Sequence, residues 1–294
     1  MLSILIPIYN FKVVKLVDAL KKQCEKQKIV FEILCFDDGS TKNIKHENSI
    51  LSSYFGVNYT ELSENLGRAR IRNWLAKSAA FENLLFLDCD SKIVRKDFIK
   101  KYLSYIPDYE IIAGGRGYSK KPPRAKSKRL HWKYGLKRES KKASVRQQNA
   151  IQLFHSNNFL VKRKYMIQYP FDEQIKGYGY EDLFWAQKLY NKGIPIMHID
   201  NHTEHLGLEK SIVFIKKTEE SLTNLYKMIK EGKAINTRLL DFVEKAEKWK
   251  VKPFLLNYYT KRKDKIYQNL LSPKPNLFYF DLYKYAYYLD LNKK

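Results

Sequence analysis

Cysteine is scarce in this chain. There are three in 294 residues (Cys24, Cys35 and Cys89), far apart and without a CxxC. An odd, scattered set excludes a disulfide framework and a zinc ribbon and fits a reducing compartment. No apolar run reaches about 18 residues, so no membrane-spanning helix is expected. The opening "MLSILIPIYNF" has no basic leader and no small-residue cleavage site, and reads as a first strand rather than a signal peptide. Glycine-rich phosphate loops are missing too: no GxGxxG follows the first strand, and no GxxxxGK[ST] occurs anywhere. Those absences exclude a dinucleotide fingerprint and a P-loop. The chain is read as cytoplasmic, peripheral to a membrane at most. What it has in excess is positive charge, 55 Lys and Arg against 31 Asp and Glu, a formal +24. Such an excess points to anionic partners. Abundant Lys, Asn, Ile and Tyr are also what AT-rich coding yields, so the total alone identifies none.

The apolar pattern predicts an α/β protein. "LSILIPI" (2–8), "FEILCF" (31–36), "VNYTEL" (57–62), "NLLFLD" (83–88) and "YEIIAGG" (109–115) read as strands. Helical patterns over 13–26, 65–79 and 95–106 lie between them, the second with Leu66, Ala69, Trp74 and Leu75 on one side. This alternation implies a mainly parallel, Rossmann-like sheet flanked by helices. Residues 116–146 break the rhythm with thirteen Lys or Arg and one acid, Glu139. "QLFHSNNFLVKR" (152–163) and "IPIMHID" (194–200) read as further strands. A helix opens near Tyr180 and stops at Gly193, and helical patterns run from Glu209 to the end. The organisation expected is a domain over 1–232, with a nucleotide-binding half (1–115) and an acceptor half (116–232) holding the basic insertion 116–146. A helical extension over 233–294 follows.

In doubly wound sheets, ligands bind beyond the carboxyl ends of the strands. Three polar clusters fall there: "PIYN", "DDGST" and "DCDS". Asp-Gly-Ser is also ordinary turn chemistry, but the three together line one crevice. Residues i and i+2 of an extended strand share a face, so Asp88 and Asp90 are expected to aim together. Paired hard oxygens suit Mn²⁺ or Mg²⁺ bridging to a diphosphate. In "GYGYED", Glu181 and Asp182 stand at a helix start, where acids also favour the positive end of the dipole. The glycines before them allow a ligand or loop to come close. "HIDNHTEHLGLE" spaces His198, His202 and His205 as a helical zinc site would, but His198 lies in an expected strand and the others in a loop. His205 is therefore read as completing an Asp-based metal site and His198 as packed at a strand end. The amides of "HSNNFLV" suit hydroxyl recognition, or an Asx-turn.

In this order, "ILIPIYN", "DDGST", "ENLGRARIRN", "FLDCDS", "SNNFLV", "FDEQIKGYGYED" and "HLGLE" resemble family 2 glycosyltransferases of GT-A fold over roughly 1–230. The resemblance implies an inverting transferase with a nucleotide-sugar donor, a divalent metal (Mn²⁺ or Mg²⁺) and uridine as the commonest base. Pro7, Tyr9, Asp38, Asn65, Gly67, Arg70 and Asp88 resemble its nucleotide-binding positions. Asp90 and His205 resemble its metal and diphosphate ligands, and Asp182 its catalytic base. Asn157, Asn158 and Glu181 fall where acceptor contacts are expected. The acceptor implied is a saccharide or lipid-linked saccharide.

Two rival readings exist. An apolar strand running into DxD also resembles haloacid-dehalogenase-type phosphotransferases, with the first Asp as nucleophile, but those continue with Gly-Thr where this chain has Ser91-Lys92. "KKPPRAKSKRLHWKYG" would suit a nucleic-acid binder, yet no nucleic-acid module is recognised and no nucleic-acid partner is expected. An anionic membrane surface, met by the basic loop and the Tyr-rich tail, is the remaining candidate partner.

Overall fold

Every residue of "LSILIPI" except Pro7 is buried, as a strand covered on both faces requires. The computed structural model describes residues 1–292. In chain order the elements are β1 (Leu2–Ile8), α1 (Val14–Lys26), β2 (Phe31–Asp37), α2 (Lys42–Asn48), β3 (Val57–Glu61), α3 (Arg68–Ser78), β4 (Asn83–Leu87), β5 (Ser91–Ile93), α4 (Phe98–Leu103), β6 (Ile111–Ala113) and β7 (Arg116–Gly117). Then come α5 (Arg129–Tyr134), α6 (Ala143–Gln147), β8 (Asn158–Lys162), α7 (Arg163–Gln168), α8 (Glu181–Tyr190), β9 (Met197–His198), β10 (Thr203–His205), α9 (Ser211–Lys230), α10 (Arg238–Lys248), α11 (Lys252–Leu271) and α12 (Leu277–Leu291). They divide into two units: residues 1–118, 140–176 and 181–207 form the first, and 119–139, 177–180 and 208 onward form the second.

The first unit is built on a seven-stranded sheet of order β3-β2-β1-β4-β8-β6-β9. β1 runs parallel to β2 and β4. Alternate residues sort into two cores: Leu5, Leu34, Leu84 and Phe86 pack on one face, and Ile4, Ile33, Leu85 and Leu87 on the other. β8 is antiparallel to both neighbours. An antiparallel strand begins where its neighbour ends, so Asn158 pairs with Leu87 and "SNN" is delivered beside the end of β4. Expected strands 152–163, 109–115 and 194–200 are shorter in the structure, because their polar or glycine ends turn out of the sheet. A second, three-stranded sheet, β5-β10-β7, sets His205 opposite Ser91 and Thr203 opposite Arg116.

Arg146 closes the basic segment in sequence but is buried in this unit. Its guanidinium donates to the carbonyls of Ala113 (3.1 Å), Gly114 (3.1 Å) and Ile199 (2.6 Å). Gly115, at φ +90°, is required there: a Cβ would lie 2.7 Å from Arg146 Cζ. Arg146 Nη1 also donates to His198 Nδ1 (2.6 Å), while His198 Nε2 donates to the Ala150 carbonyl (2.8 Å). This pairing requires a neutral imidazole, and His198 packs at the strand end as expected.

The second unit is helical. Leu130, Phe214, Ile215, Ala246, Ile266 and Phe280 share one core. The boundary expected at residue 232 is not where the chain divides, because the apolar face of α9 belongs to this core and so does Leu130 of the basic segment. The Tyr-rich tail is interior: Tyr283, Tyr285 and Tyr288 are buried. Gly177 (φ +78°) and Gly179 (φ +102°) admit α9 rather than a ligand, since a Cβ on them would lie 2.0 Å from Glu220 Oε1 and 2.4 Å from Ser221 Cβ. Among the described residues, no helix is long and apolar enough to cross a membrane.

Burial lowers the His198 pKa from 6.5 to about 4, the neutral form being the folded one. Its stabilisation is whole above 6.5 and is lost as pH falls towards 4. Between about pH 7 and about pH 4, wild type should lose roughly 3 kcal/mol more than His198→Gln in urea unfolding. Equal losses would show that His198 does not govern this pH dependence.

Candidate active site

The loops beyond β1, β2 and β3 are stitched together. Asn10 N donates to Ser40 Oγ (2.7 Å) and Thr41 N to Asn10 Oδ1 (2.9 Å). Asp37 is fully buried and accepts from Ser40 N (2.7 Å), which makes it the turn-holding acid of "DDGST". Asp38 accepts from Leu66 N (2.6 Å) and Gly67 N (3.1 Å), and its carbonyl accepts from Asn65 Nδ2 (2.9 Å). Burial raises the Asp38 pKa, with those two N–H groups opposing. Thus Asp38, Asn65 and Gly67 are brought together. Pro7 lies in β1, and Tyr9, just after it, is largely exposed.

The DxD segment is not extended. β4 ends at Leu87, and Ser91 N donates back to the Asp88 carbonyl (3.1 Å), making a turn. The same-face rule for i and i+2 therefore does not apply, and the two acids have different partners. Asp88 Oδ1 meets Arg72 Nη2 at 2.6 Å and its Oδ2 meets Arg116 Nη2 at 3.2 Å. Asp90 Oδ1 lies 3.2 Å from His205 Nδ1, and Tyr118 packs edge-on against the imidazole. Burial opposes ionisation of Asp90, but the neighbouring His205, Arg116 and Arg68 outweigh it and hold its carboxyl below the usual carboxylate range.

The helical period explains which arginine reaches the site. Ala69, Arg72, Asn73 and Ala76 form the buried stripe of α3. Arg70 and Trp74 lie on the other side, where Arg70 pairs with Glu173 (3.5 Å) and Trp74 is 43% exposed. Trp74 therefore does not lie on the inner side as expected, and Arg72 is the helix residue that meets Asp88. Arg72 and Arg116 were not singled out from the sequence. The stripe through Ala69 and Ala76 carried a signal for Arg72, whereas none marked Arg116 within a basic run.

Asp182 opens α8. Its Oδ2 accepts from Ser156 N (3.4 Å) and lies 4.0 Å from His155 Nδ1. Glu181 is buried and pairs with Arg68 at 3.2 Å, so it is an internal anchor rather than an exposed acceptor contact. Asn158 is corrected likewise. It is fully buried; its Oδ1 accepts from Tyr102 Oη (2.6 Å) and its Nδ2 donates to the carbonyls of Gly115 (3.0 Å) and Asn201 (2.8 Å). Those bonds leave no amide hydrogen for an acceptor. Asn157 differs: its Nδ2 reaches Thr203 Oγ1 (3.4 Å), while its Oδ1 is buried without a hydrogen-bond partner.

Among the described residues, no group of three or more His, Cys, Asp or Glu could hold a metal by itself. Asp90 and His205 supply two donors, and Gly207 leaves their space open, since a Cβ there would lie 2.1 Å from Asp90 Oδ2. That set fits a divalent ion completed by substrate phosphate and water.

Asp88→Ala should destabilise the protein by about 3 kcal/mol or more in urea unfolding, because it strands a buried guanidinium. Asp90→Ala should cost clearly less, since Asp90 is not the partner of the buried Arg72. Equal losses would deny Asp88 its bracing role.

The sequence profile described as "Glycosyl transferase family 2" matches residues 3–169, more than half of the chain. Uncharacterised glycosyltransferases of Rickettsia conorii and Rickettsia felis are each 31% identical over 119 and 118 residues, 40% of this chain and 19% of theirs. This chain thus spans about a fifth of those relatives' length. Among solved structures, S. aureus TarS 1–349 in complex with UDP superposes with a TM-score of 0.51 at 18% identity, over 76% of this chain and 64% of that one. The mannosyltransferase PcManGT from Pyrobaculum calidifontis, in complex with GDP-Man and Mn²⁺, gives 0.55 at 16% identity, over 79% and 65%. At such identities these likenesses concern the fold, and the fold is GT-A. By its profile match over residues 3–169, which span β1 to β8 and the turn holding Asp88 and Asp90, the chain belongs to glycosyl transferase family 2.

Proposed function

We propose that the first unit transfers a sugar from a nucleotide-sugar, a UDP-sugar by preference, to a hydroxyl of a saccharide or lipid-linked saccharide. The transferred group is read as a hexosyl or N-acetylhexosaminyl residue. The observation that carries this reading is the pairing of Asp90 with His205, beside an Asp88 braced by two arginines, at the carboxyl end of β4. Neighbouring folds are described in complex with UDP, UDP-GlcNAc and GDP-Man, which supports a nucleotide-sugar donor.

The nucleoside is assigned to Pro7, Tyr9, Asp38, Asn65 and Gly67, with Asp88 on the ribose side. A Mn²⁺ or Mg²⁺ ion held by Asp90 and His205 would neutralise the departing diphosphate. Asp182 takes the proton of the acceptor hydroxyl as its oxygen bonds to C1. The C1–O bond to the diphosphate breaks on the opposite face, and the electron pair leaves with the nucleoside diphosphate. One displacement inverts the anomeric carbon and needs no protein nucleophile. Asn157, whose buried Oδ1 has no hydrogen-bond partner, is the acceptor contact retained from the "SNN" segment. The phosphotransferase alternative is not favoured, because both oxygens of Asp88, its required nucleophile, face guanidinium groups.

Thermal unfolding with a panel of nucleoside diphosphates should show a Mn²⁺-dependent rise in midpoint with one base, lost in Asp90→Ala. No rise with any nucleotide would overturn the donor site. Asp182→Asn should keep that rise while transfer falls by about 10²–10⁴. Unchanged transfer would remove Asp182 from the base role.

A further inference from the structure

The chain's charge is unevenly placed. The second unit holds 28 Lys and Arg against 11 Asp and Glu, a formal +17 of the total +24, whereas the larger first unit holds 27 against 20. Such asymmetry marks a surface for an anionic partner. The segments first considered for a membrane do not provide it as expected. Tyr283, Tyr285 and Tyr288 of α12 are buried, as are Leu130 and His131 of the basic segment.

The turn between α10 and α11 has a different character. "KWKVKPF" (248–254) alternates lysine with apolar residues. Trp249 is 64% exposed and Phe254 70%, with Val251 between them at 36%. The turn is well defined. Val251 N donates to the Ala246 carbonyl (3.0 Å) and Lys250 N to the Glu247 carbonyl (2.9 Å), the two bonds of a Schellman motif. Lys250 sits at φ +57°, a left-handed position that glycine fills more cheaply. A lysine is thus held between two exposed apolar side chains in the turn that joins α10 to α11. Phe242, one face-repeat before Trp249 on α10, extends the apolar edge and is 43% exposed.

We propose that this turn is a docking surface for an anionic phospholipid bilayer, with Trp249, Val251 and Phe254 entering the headgroup boundary and Lys248 and Lys250 meeting lipid phosphates, while Lys252 is paired with Glu247. Aromatic side chains inserted among lysines are the composition of interfacial membrane anchors. Lysine stems can lie along the apolar side chains while their ammonium groups stay at the phosphate level. A protein partner is disfavoured, because protein interfaces are depleted in lysine. A nucleic acid is disfavoured because the feature is a short turn with Val and Pro, whereas single-strand binders offer a groove of stacking rings. The assignment goes beyond sugar transfer and does not depend on it.

The test is sedimentation of the full chain with vesicles of phosphatidylcholine alone and of phosphatidylcholine mixed with phosphatidylglycerol. Wild type should bind the anionic vesicles at low salt and release at high salt. The double variant Trp249→Ser, Phe254→Ser should bind them about tenfold more weakly or worse, with an unchanged unfolding midpoint. Lipids brominated in the acyl chains should quench wild-type tryptophan fluorescence more than that of Trp249→Phe. Equal binding by wild type and the double variant would overturn the proposal, as would equal binding to neutral vesicles. If the double variant instead lost affinity for a random single-stranded oligonucleotide and kept its vesicle binding, the turn would be a nucleic-acid contact and the proposal would fall.

Discussion

Asp88 carries the geometry of the first unit. One oxygen meets Arg72 from α3 and the other meets Arg116 from β7, while its backbone N–H donates to the carbonyl of Asn157 ahead of β8. One residue thus joins a helix, both sheets and the reversed strand. Buried ions cost several kcal/mol each unless the pairing geometry is good, so this joint tolerates little displacement. Two cations on one anion also leave a positive corner. That corner helps Asp90 stay ionised despite burial, with His205 as its main ally and Arg116 and Arg68 adding field.

The rest of the site follows from that bracing. Ser91 starts the strand that pairs with His205, and Leu206 N donates to the Asp90 carbonyl (2.8 Å). Asp90 and His205 are therefore held together by backbone as well as by side chain. Gly207 preserves the space beside them. Such preorganisation is what charge stabilisation of a leaving diphosphate demands, since groups already in place need not reorganise during reaction. The second unit carries most of the chain's net charge and an exposed aromatic turn. The chain's +24 is thus the sum of two unlike surfaces.

Much of the fold was legible because its signals are local. β1, β2 and β4 are unbroken apolar runs, which only strands buried on both faces can use, and polar clusters mark where they end. Asp38, Asp88, Asp90 and His205 stand out because acids and histidines at strand ends are conspicuous, and Asp182 because it opens a helix after "GYGYE". Arg72 was obscured by its neighbours in "RARIRN", where three arginines share a composition and only the buried stripe of α3 separates them. Arg116 and Arg146 were lost in a basic run, although one braces Asp88 and the other caps three carbonyls. Asn158 read as a recognition amide, since nothing in "SNN" tells an inward amide from an outward one.

By itself, then, the sequence determined the alternating architecture, the family and the acids at the strand ends, because hydrophobic period and chain order are properties of neighbouring residues. Tertiary structure decided how those acids are partnered. The DxD turn separates Asp88 from Asp90, the reversed β8 brings Asn157 beside β4, and residues more than a hundred positions apart, Asp90 and His205, meet across a three-stranded sheet. Such pairings depend on which backbones share hydrogen bonds, and a one-dimensional pattern of apolar and polar residues does not encode that distance.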